Sequence, residues 1–267
     1  MQTATLPDGR TVFCVNAYEV DFSVHEIFSE DLGAHGLQLP AAGTFLDVGA
    51  NIGLFSLYLR DHCPQARIVA FEPMPAVFAA LERNLAAMTP PGLAVPAGLG
   101  AKAGWAEFDY FPGVAALSTQ NREVGRTLSA GLRRLLGGRQ AGDGVKDILD
   151  KTGATRVAAD EAFLDDLFRP ETVRARIDTL SAQMAALGVE TVDLLKIDTE
   201  GAEREVLAGL DESDWPKIRQ LLVEVHLGGA VTDTMAADLR GRGFRTSIGR
   251  HPLSQGGAAV FHIYAAR

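Results

Sequence analysis

The sequence predicts an α/β fold in which a mostly parallel sheet carries helices on both faces. From residue 44 onward, short apolar runs alternate with amphipathic stretches, and glycines or prolines stand between them. Strands that alternate with helices are joined by right-handed crossovers, which place the strands parallel in one sheet. The length of 267 residues, 47% of them hydrophobic, suits one large domain or one domain with a substantial insertion.

Residues 1–43 precede this alternation and are expected to form an N-terminal cap. The stretch LPDGRTVFCV predicts a hairpin, because Asp-Gly favours a tight turn between two strands. The stretch DFSVHEIFSEDL has apolar residues at helical spacing, which predicts a short amphipathic helix. Glu26 is a polar residue on this otherwise apolar helix, and it is therefore a candidate contact for a cofactor or substrate.

The predicted core consists of two segments, residues 44–111 and 176–267. In the first, TFLDV and RIVAFEP are predicted strands, and GLFSLYLRDH and AVFAALERNLAAM are predicted helices. GLAVPAGLG and GWAEFDYF follow as strands. In the second, VDLLKIDTEGAEREVLAGL predicts a strand and a helix, LLVEVH a further strand, and VTDTMAADLRGRGF a helix that ends at one of its glycines. FRTSIG and AAVFHIYAA are predicted to close the chain as an antiparallel pair.

Residues 112–175 interrupt the alternation and contain no convincing strand. TLSAGLRRLLGG and DEAFLDDLFR predict amphipathic helices, and GGRQAGDG predicts a flexible loop between them. We expect a helical insertion that forms a lid over an acceptor pocket, since lids exclude water from a reaction. The alternative is a helical bulge that only packs against the core.

The charge and the termini exclude several classes of function. The net charge is −9, the pI is about 5.2, and no block of lysine or arginine offers the electrostatic footprint of a nucleic-acid partner. Two cysteines predict free thiols in a reducing cytoplasm. The start, MQTATLPDGRTVF, lacks the features of a signal peptide, and no apolar run is long enough to predict a membrane span.

A glycine-containing turn and an acidic residue predict a cofactor site. The stretch DVGANIG lies where the first core strand gives way to a helix, and small residues there let a ligand approach the backbone. Open α/β sheets bind ligands at this carboxyl edge. The next strand ends at Glu72, 25 residues after Asp47. A carboxylate at that position can accept hydrogen bonds from both ribose hydroxyls of an adenosine group.

The sequence of this turn distinguishes between two classes of cofactor that contain adenosine. The dinucleotide fingerprint G-x-G-x-x-G uses three glycines and a helix N-terminus to hold a pyrophosphate. Here the turn has two glycines, and Asp47 inside it would repel a pyrophosphate but suits the amino-acid end of S-adenosylmethionine. The sequence therefore favours S-adenosylmethionine, with Glu72 on the ribose, the turn at the methionine end and the third strand beside the adenine. The predicted cofactor-binding residues are Glu26, Asp47, Gly49, Ala50, Asn51, Gly53, Glu72, Pro73, Gly98, Leu99 and Asp198.

Three stretches resemble the FkbM family of class I methyltransferases. They are FLDVGANIGLFSLYL, VAFEPMP and, as the most specific, VDLLKIDTEGAEREVLAGL. VHEIFSEDLGAHGLQLP and DESDWPKIRQLLVEVH are similar to the branch found beside or inside polyketide and nonribosomal peptide synthases. The resemblance covers most of residues 10–265. It implies a doubly wound, Rossmann-like sheet of seven strands and methylation of a hydroxyl oxygen.

Methylation of a hydroxyl needs a base, and acidic residues stand at the end of a predicted central strand. The stretch LLKIDTEGAE presents Lys196, Asp198 and Glu200 in quick succession. Charged residues in a buried parallel strand are expensive unless they are paired or functional. We expect Asp198 to face the sulfonium, Glu200 to begin the turn, and Lys196 to balance the carboxylates. Glu203 is expected in the first turn of the next helix, where it complements the helix dipole.

The neighbouring strand LLVEVH places Glu224 and His226 on one face. We predict His226 as the base, oriented by Glu224, Asp198 or Glu200, because the ordinary pKa of histidine suits a base near neutral pH. In an alternative, Asp198, Glu200 and His226 hold a divalent cation such as magnesium, although their spacing matches no metal motif. The remaining histidines are expected in no comparable cluster: His25, His35, His62, His251 and His262.

The leading hypothesis is an S-adenosylmethionine-dependent O-methyltransferase. Its acceptor would be a hydroxyl of a polyketide, a peptide or a related natural product, either a free small molecule or one tethered to a carrier protein. A sugar O-methyltransferase is the main alternative among enzymes. A non-catalytic module that binds S-adenosylmethionine inside a synthase is the alternative from another class.

Overall fold

A computed structural model describes residues 1–28, 30–136, 161–251 and 260–267. The predicted loop GGRQAGDG lies outside these described residues. The strands are β1 (Gln2–Thr5), β2 (Thr11–Cys14), β3 (Thr44–Val48), β4 (Arg67–Phe71), β5 (Leu93–Val95), β6 (Gly98–Leu99), β7 (Gly104–Tyr110), β8 (Glu171–Asp178), β9 (Leu194–Ile197), β10 (Gln220–Val225), β11 (Arg245–Arg250) and β12 (Phe261–Ala266). The helices are α1 (Ala17–Phe28), α2 (Leu54–His62), α3 (Pro75–Ala86), α4 (Arg122–Leu136), α5 (Glu161–Leu167), α6 (Leu180–Ala186), α7 (Glu203–Ala208) and α8 (Gly229–Gly241).

A seven-stranded sheet forms the centre, in the order β11-β12-β10-β9-β3-β4-β5. The five strands from β10 to β5 pair in parallel, whereas β12 pairs antiparallel with both β10 and β11. The predicted mostly parallel sheet and the antiparallel final pair are therefore confirmed. The chain runs outward from β3 to β5 and later returns to β9, so the topological switch point lies between β3 and β9. A crevice opens there at the carboxyl ends of the strands.

The central strands are apolar on both faces because helices cover both sides of the sheet. Phe45 and Leu46 of β3, together with Leu194 and Leu195 of β9, are almost completely buried. Two large apolar clusters, one on each side of the sheet, contain them. The continuous apolar runs that predicted these strands in the sequence thus reflect burial from both faces.

The N-terminal segment forms the predicted hairpin and helix. β1 and β2 pair antiparallel around the Asp-Gly turn. Helix α1 begins at Ala17, earlier than the apolar spacing indicated, and packs against α2 with Val20 and Val24 buried.

A second sheet, in the order β6-β8-β7, departs from the sequence prediction. Strand β8 begins at Glu171, inside the range of residues 112–175 in which the sequence indicated no strand. The reason is that β8 is half exposed: charged residues alternate with Val173, Ala175 and Ile177, so the strand has no continuous apolar run. Residues 171–177 of β8 pair with β7, which is amphipathic in the same way.

The insertion forms its two predicted helices, α4 and α5, and encloses a small apolar cluster of its own. That cluster is separate from the two clusters of the main sheet, and the α4 residues Leu128 and Leu132 pack against it. Its buried members are Phe111, Val114, Leu117, Leu164, Leu167 and Phe168. In the part of the chain that the structure describes, no helix is both long and apolar enough to span a bilayer.

Candidate active site

A cavity of about 330 Å³ lies at the carboxyl edge of the central sheet. The turn after β3, the ends of β4, β9 and β10, helix α1 and the insertion all contribute to its wall. Every predicted site residue lines this cavity except Asp47 and Gly53. The residues that the sequence predicted at the ends of separate strands therefore line one cavity.

The turn after β3 brings the backbone close to the cavity because Gly49 occupies a position with no room for a side chain. Gly49 has φ of 75°, and a Cβ atom there would lie 1.7 Å from the carbonyl oxygen of Asp198. The N–H groups of Gly49 and Ala50 donate hydrogen bonds of 3.1 and 3.0 Å to the carbonyl of Phe71. The turn is thereby fixed between β4 and β9, on the cavity wall.

Glu72, at the end of β4, is held by the backbone on both of its oxygens. Oε2 accepts a 3.1 Å hydrogen bond from the N–H of Asn51, and Oε1 accepts one of 2.8 Å from the N–H of Met74. Burial raises the pKa of Glu72 to about 7, although these two hydrogen bonds act in the opposite direction. The carboxylate is therefore oriented, buried and on the cavity wall, as a group that binds vicinal hydroxyls must be.

Asp47 and Gly53 support the turn from behind rather than line the cavity, and their predicted place at the methionine end of the cofactor, for Asp47 directly or through water, stays a prediction. Asp47 is fully buried, its Oδ2 accepts a 2.7 Å hydrogen bond from Ser56, and its Oδ1 lies 3.6 Å from Lys196 Nζ. A Cβ atom on Gly53 would lie 2.8 Å from the side chain of Leu81. Asp47 and Lys196 are neighbours in the parallel register of β3 and β9, so they share one side of the sheet.

Lys196 acts as the ion partner that the sequence indicated. Its Nζ lies 3.1 Å from Asp198 Oδ2 and donates a 3.2 Å hydrogen bond to the carbonyl of Gly49. Burial acts to lower the pKa of Lys196, but Asp198 and Asp47 outweigh this and raise it. The lysine is therefore charged, and it joins the end of β9 to the turn after β3.

Pro73, Gly98 and Leu99 line another part of the wall, beside Glu72. Leu99 is buried, and a Cβ atom on Gly98 would lie 2.8 Å from Ile177 Cδ1. This part of the wall is therefore apolar, and it has no room for a side chain at position 98.

Beyond the turn, the cavity wall carries a cluster of acids around one histidine. His226 Nε2 lies 3.2 Å from Glu200 Oε2 and 3.4 Å from Glu224 Oε1, and its Nδ1 lies 3.1 Å from Glu203 Oε1. Burial acts to lower the pKa of His226, but the three carboxylates raise it well above its ordinary value. Glu203 is the first residue of α7, as predicted, and it is completely buried.

These surroundings bear on the predicted role of His226. A histidine that is already protonated cannot take up a further proton, so its role as the free base stays a prediction that its neighbours disfavour. Burial raises the pKa of Glu200 well above its ordinary value, and Asp198 raises it further. Glu200 has φ of 53°, a conformation that non-glycine residues seldom adopt, and its side chain lines the cavity. A carboxylate of raised pKa beside an imidazolium is a second candidate for the proton acceptor.

A second acid–histidine cluster adjoins the first and was missed by the sequence reasoning. His262 Nε2 lies 3.3 Å from Glu224 Oε2, and His251 Nε2 contacts Glu26 Oε1. Both histidines line the cavity, which corrects the expectation that they stand in no cluster. What brings this cluster together is the antiparallel register of β10 and β12, which sets Glu224 directly opposite His262. That register follows from strand order, which the sequence alone does not supply.

The insertion contacts the turn that carries Glu200. The buried Thr119 donates its hydroxyl hydrogen to the carbonyl of Glu200 and accepts a 2.9 Å hydrogen bond from the N–H of Asn121. Gly201, at φ of 101°, packs so closely on this segment that a Cβ atom would lie 2.8 Å from Val124. Leu128 and Leu132 of α4 line the cavity as well, so the insertion both covers the space and holds one of its acids.

The order of the seven strands and the site at the switch point define a class I, Rossmann-like methyltransferase fold. The crystal structure of methyltransferase FkbM from Methylobacillus flagellatus KT is similar to it with a TM-score of 0.52, over 86% of this chain and 45% of that chain, at 12% identity, a likeness of fold alone. The sequence model of the methyltransferase FkbM domain matches residues 47–246. The chain therefore belongs to the FkbM methyltransferase family.

Two relatives cover almost the whole chain. The 31-O-demethyl-FK506 methyltransferase FkbM of Streptomyces tacrolimicus is 34% identical over 275 residues, which are 100% of this chain and 97% of that protein. The AMB antimetabolite synthetase AmbE of Pseudomonas aeruginosa is 35% identical over 276 residues, which cover 98% of this chain. The chain spans only 12% of the length of AmbE.

Proposed function

We propose that the protein transfers the methyl group of S-adenosylmethionine to a hydroxyl oxygen of a natural-product intermediate. The observation that carries the proposal is the position of Glu72, whose oriented carboxylate lines the same cavity as the acid–histidine clusters. A ribose-binding acid and a group that accepts protons are the two elements that methylation of a hydroxyl requires. The name of the relative from Streptomyces tacrolimicus, a 31-O-demethyl-FK506 methyltransferase, favours oxygen as the acceptor atom.

The cofactor would lie along the carboxyl edge of the sheet. Glu72 accepts hydrogen bonds from the ribose hydroxyls, Gly98 and Leu99 flank the adenine, and the turn from Gly49 to Asn51 lines the methionine end. Asp198 faces the sulfonium, where its negative charge is favourable. Asp47 supports this arrangement through Lys196, without touching the cofactor.

The reaction is an in-line displacement at the methyl carbon. The bond between the sulfonium sulfur and the methyl group breaks as the acceptor oxygen forms its bond to the methyl group. The hydroxyl proton passes to Glu200, or to His226 if that residue is neutral, and the products are S-adenosylhomocysteine and a methyl ether. Holding the donor and acceptor in line can supply about 7–11 kcal/mol of the barrier reduction.

Apolar side chains of α1 and of the insertion support an acceptor with a large apolar body. Phe22 and Ile27 of α1 line the cavity, as do Leu128, Leu132 and Leu167 of the insertion. Because burial of apolar surface favours binding, a polyketide or peptide with one reactive hydroxyl fits these side chains better than a polyhydroxylated sugar. The insertion is then a lid that keeps water away from the sulfonium. The acceptor is either free or tethered to a carrier protein.

The test is a transfer assay with trideuteromethyl S-adenosylmethionine and a panel of hydroxylated polyketides, peptides and sugars. We expect a product heavier by one trideuteromethyl group on oxygen, and one equivalent of S-adenosylhomocysteine. Calorimetry with S-adenosylhomocysteine provides the control for cofactor binding. Binding of S-adenosylhomocysteine without transfer to any acceptor would favour the non-catalytic module, and transfer to nitrogen would contradict the assignment of oxygen.

A further inference from the structure

The second acid–histidine cluster has the donor atoms of a metal site. Glu224, His251 and His262 each offer one ligand atom, and these atoms lie within 4.8 Å of one another. The three residues come from β10, from the end of β11 and from β12, and both histidines are buried. Glu26 of α1 reaches the same point through its contact with His251 Nε2. Four side chains from four elements of the fold therefore converge on one small volume.

The separation of one pair of these atoms fits neighbouring ligands of an ion better than a simple ion pair. His262 Nε2 and Glu224 Oε2 are 3.3 Å apart, whereas charge-assisted hydrogen bonds are typically about 2.7–2.9 Å long. Two ligands at about 2.0–2.1 Å from a tetrahedral metal ion are separated by about 3.3–3.4 Å. The two atoms thus already have the spacing of neighbouring ligands.

The second nitrogen of His262 contacts a carboxylate, as the second nitrogen of a metal-binding histidine usually does. His262 Nδ1 lies 3.3 Å from Glu30 Oε1 and 3.1 Å from the hydroxyl oxygen of Tyr264. Tyr264 in turn donates a hydrogen bond to Glu30. A carboxylate on the outer nitrogen fixes the ring orientation and makes the inner nitrogen a stronger ligand. This support is independent of the three ligand atoms themselves.

We propose that Glu224, His251 and His262, assisted by Glu26, bind one divalent transition-metal ion at the acceptor end of the cavity. Two imidazoles and carboxylates favour zinc, iron or manganese over magnesium and calcium, which prefer oxygen ligands alone. This site differs from the cation site formed by Asp198, Glu200 and His226 that the sequence raised, and Glu224 contacts a histidine of each cluster.

Glu224 connects the proposed metal to the reacting groups. Its Oε2 faces His262 while its Oε1 faces His226, so the ion would lie one carboxylate away from the first cluster. An ion there would bind an oxygen of the acceptor and orient the hydroxyl toward the sulfonium. This role of the ion rests on the proposed function, whereas its binding does not.

The test measures metal binding directly, in protein stripped with a chelator and free of S-adenosylmethionine. We expect one equivalent of Co²⁺ to give visible d–d absorption, and X-ray absorption of the Zn²⁺ form to show two imidazole ligands. His251→Ala and His262→Ala should each weaken Zn²⁺ binding by about 100-fold or more, and Tyr264→Phe by about 10-fold, as for residues that support a ligand. His62→Ala, which removes an exposed histidine of α2, is the matched control.

Affinity for S-adenosylhomocysteine, measured on the same variants, reports whether they fold and separates this proposal from the proposed function. Loss of metal with retained S-adenosylhomocysteine binding in His251→Ala would support the site. The proposal is overturned if wild-type protein takes up no Co²⁺ or Zn²⁺, or if its bound Zn²⁺ lacks two imidazole ligands. It is equally overturned if His62→Ala weakens binding as much as His262→Ala does.

Discussion

The backbone N–H of Asn51 donates a 3.1 Å hydrogen bond to Oε2 of Glu72, and this contact joins the turn after β3 to the end of β4. The two features that pointed to an adenosine cofactor in the sequence are therefore one structural unit. Asn51 has φ of 50°, which turns its N–H toward the carboxylate. The remaining lone pairs of Glu72 are available to the cavity, which leads to the first prediction.

Replacing Glu72 should weaken cofactor binding without unfolding the protein. Hydrogen bonds from a ligand to a charged group contribute about 1.5–3 kcal/mol each, so loss of one such bond in Glu72→Ala should reduce the affinity for S-adenosylhomocysteine by roughly 10- to 100-fold, and loss of both by more. Calorimetry measures the change. Glu82→Ala, which removes an exposed acid on α3, should leave the affinity unchanged. Equal affinity of Glu72→Ala and the wild type would remove Glu72 from the ribose.

Cofactor binding should also weaken as the pH falls through 7. Burial raises the pKa of Glu72 to about 7, while Lys196 favours the carboxylate and Asp47 opposes it. Below this pH the side chain carries a proton and loses an acceptor for the ribose. The affinity for S-adenosylhomocysteine should therefore fall by up to tenfold per pH unit below 7, and Glu72→Gln should flatten that dependence. A wild-type affinity that is constant from pH 8 to pH 6 would contradict the prediction.

The same pKa has the opposite effect on the stability of the cofactor-free protein. Between pH 4.5 and about 7 the folded chain retains a proton on Glu72 that the unfolded chain has released, so this residue makes folding less favourable as the pH rises. The full effect is about 3 kcal/mol, since one pKa unit corresponds to 1.36 kcal/mol. Urea unfolding of wild type and Glu72→Gln across this range measures it. The difference in unfolding free energy should grow with pH in favour of Glu72→Gln.

Gly49 allows a comparison between a backbone effect and a steric clash. Gly9 and Gly49 both have positive φ, but a Cβ atom on Gly9 meets nothing within 4 Å, whereas one on Gly49 would lie 1.7 Å from the carbonyl oxygen of Asp198. Gly9→Ala should cost about 1–2 kcal/mol of unfolding free energy, from the conformation alone. Gly49→Ala should cost clearly more, because β9 must move away from the turn. Equal losses in urea unfolding would mean that the turn can shift at no cost.

Local patterns predicted much of this fold and site. The apolar runs of β3, β4 and β9 and the position of Glu72 were readable because each depends on a few adjacent residues. His251 and His262 could not be found in this way, because the antiparallel register of β12 brings them to Glu224 from distant parts of the chain. The same limit applies to the contact between Asp47 and Lys196, which also depends on the order of the strands.

Thr119 should couple the insertion to the reacting groups. Its hydroxyl hydrogen goes to the carbonyl of Glu200, and Thr119→Val keeps the shape but leaves that half-buried carbonyl and the N–H of Asn121 without their partner. We expect a loss of about 1–3 kcal/mol of stability and a lower kcat, with unchanged affinity for S-adenosylhomocysteine. Thr127→Val, whose hydroxyl bonds within α4, is the matched control. An unchanged kcat would show that the turn holds Glu200 without the insertion.

The identity of the proton acceptor can be decided by comparing His226→Gln with Glu200→Gln. His226 contacts Glu200, Glu203 and Glu224, so removing its charge should destabilise the protein by about 3–5 kcal/mol, the usual effect of breaking a buried pair. Glu200→Gln removes a charge that burial disfavours, so its stability should stay near that of the wild type. If Glu200 accepts the proton, this variant binds S-adenosylhomocysteine normally and transfers no methyl group. Full turnover in Glu200→Gln, with turnover lost in His226→Gln, would instead return the role of base to the histidine.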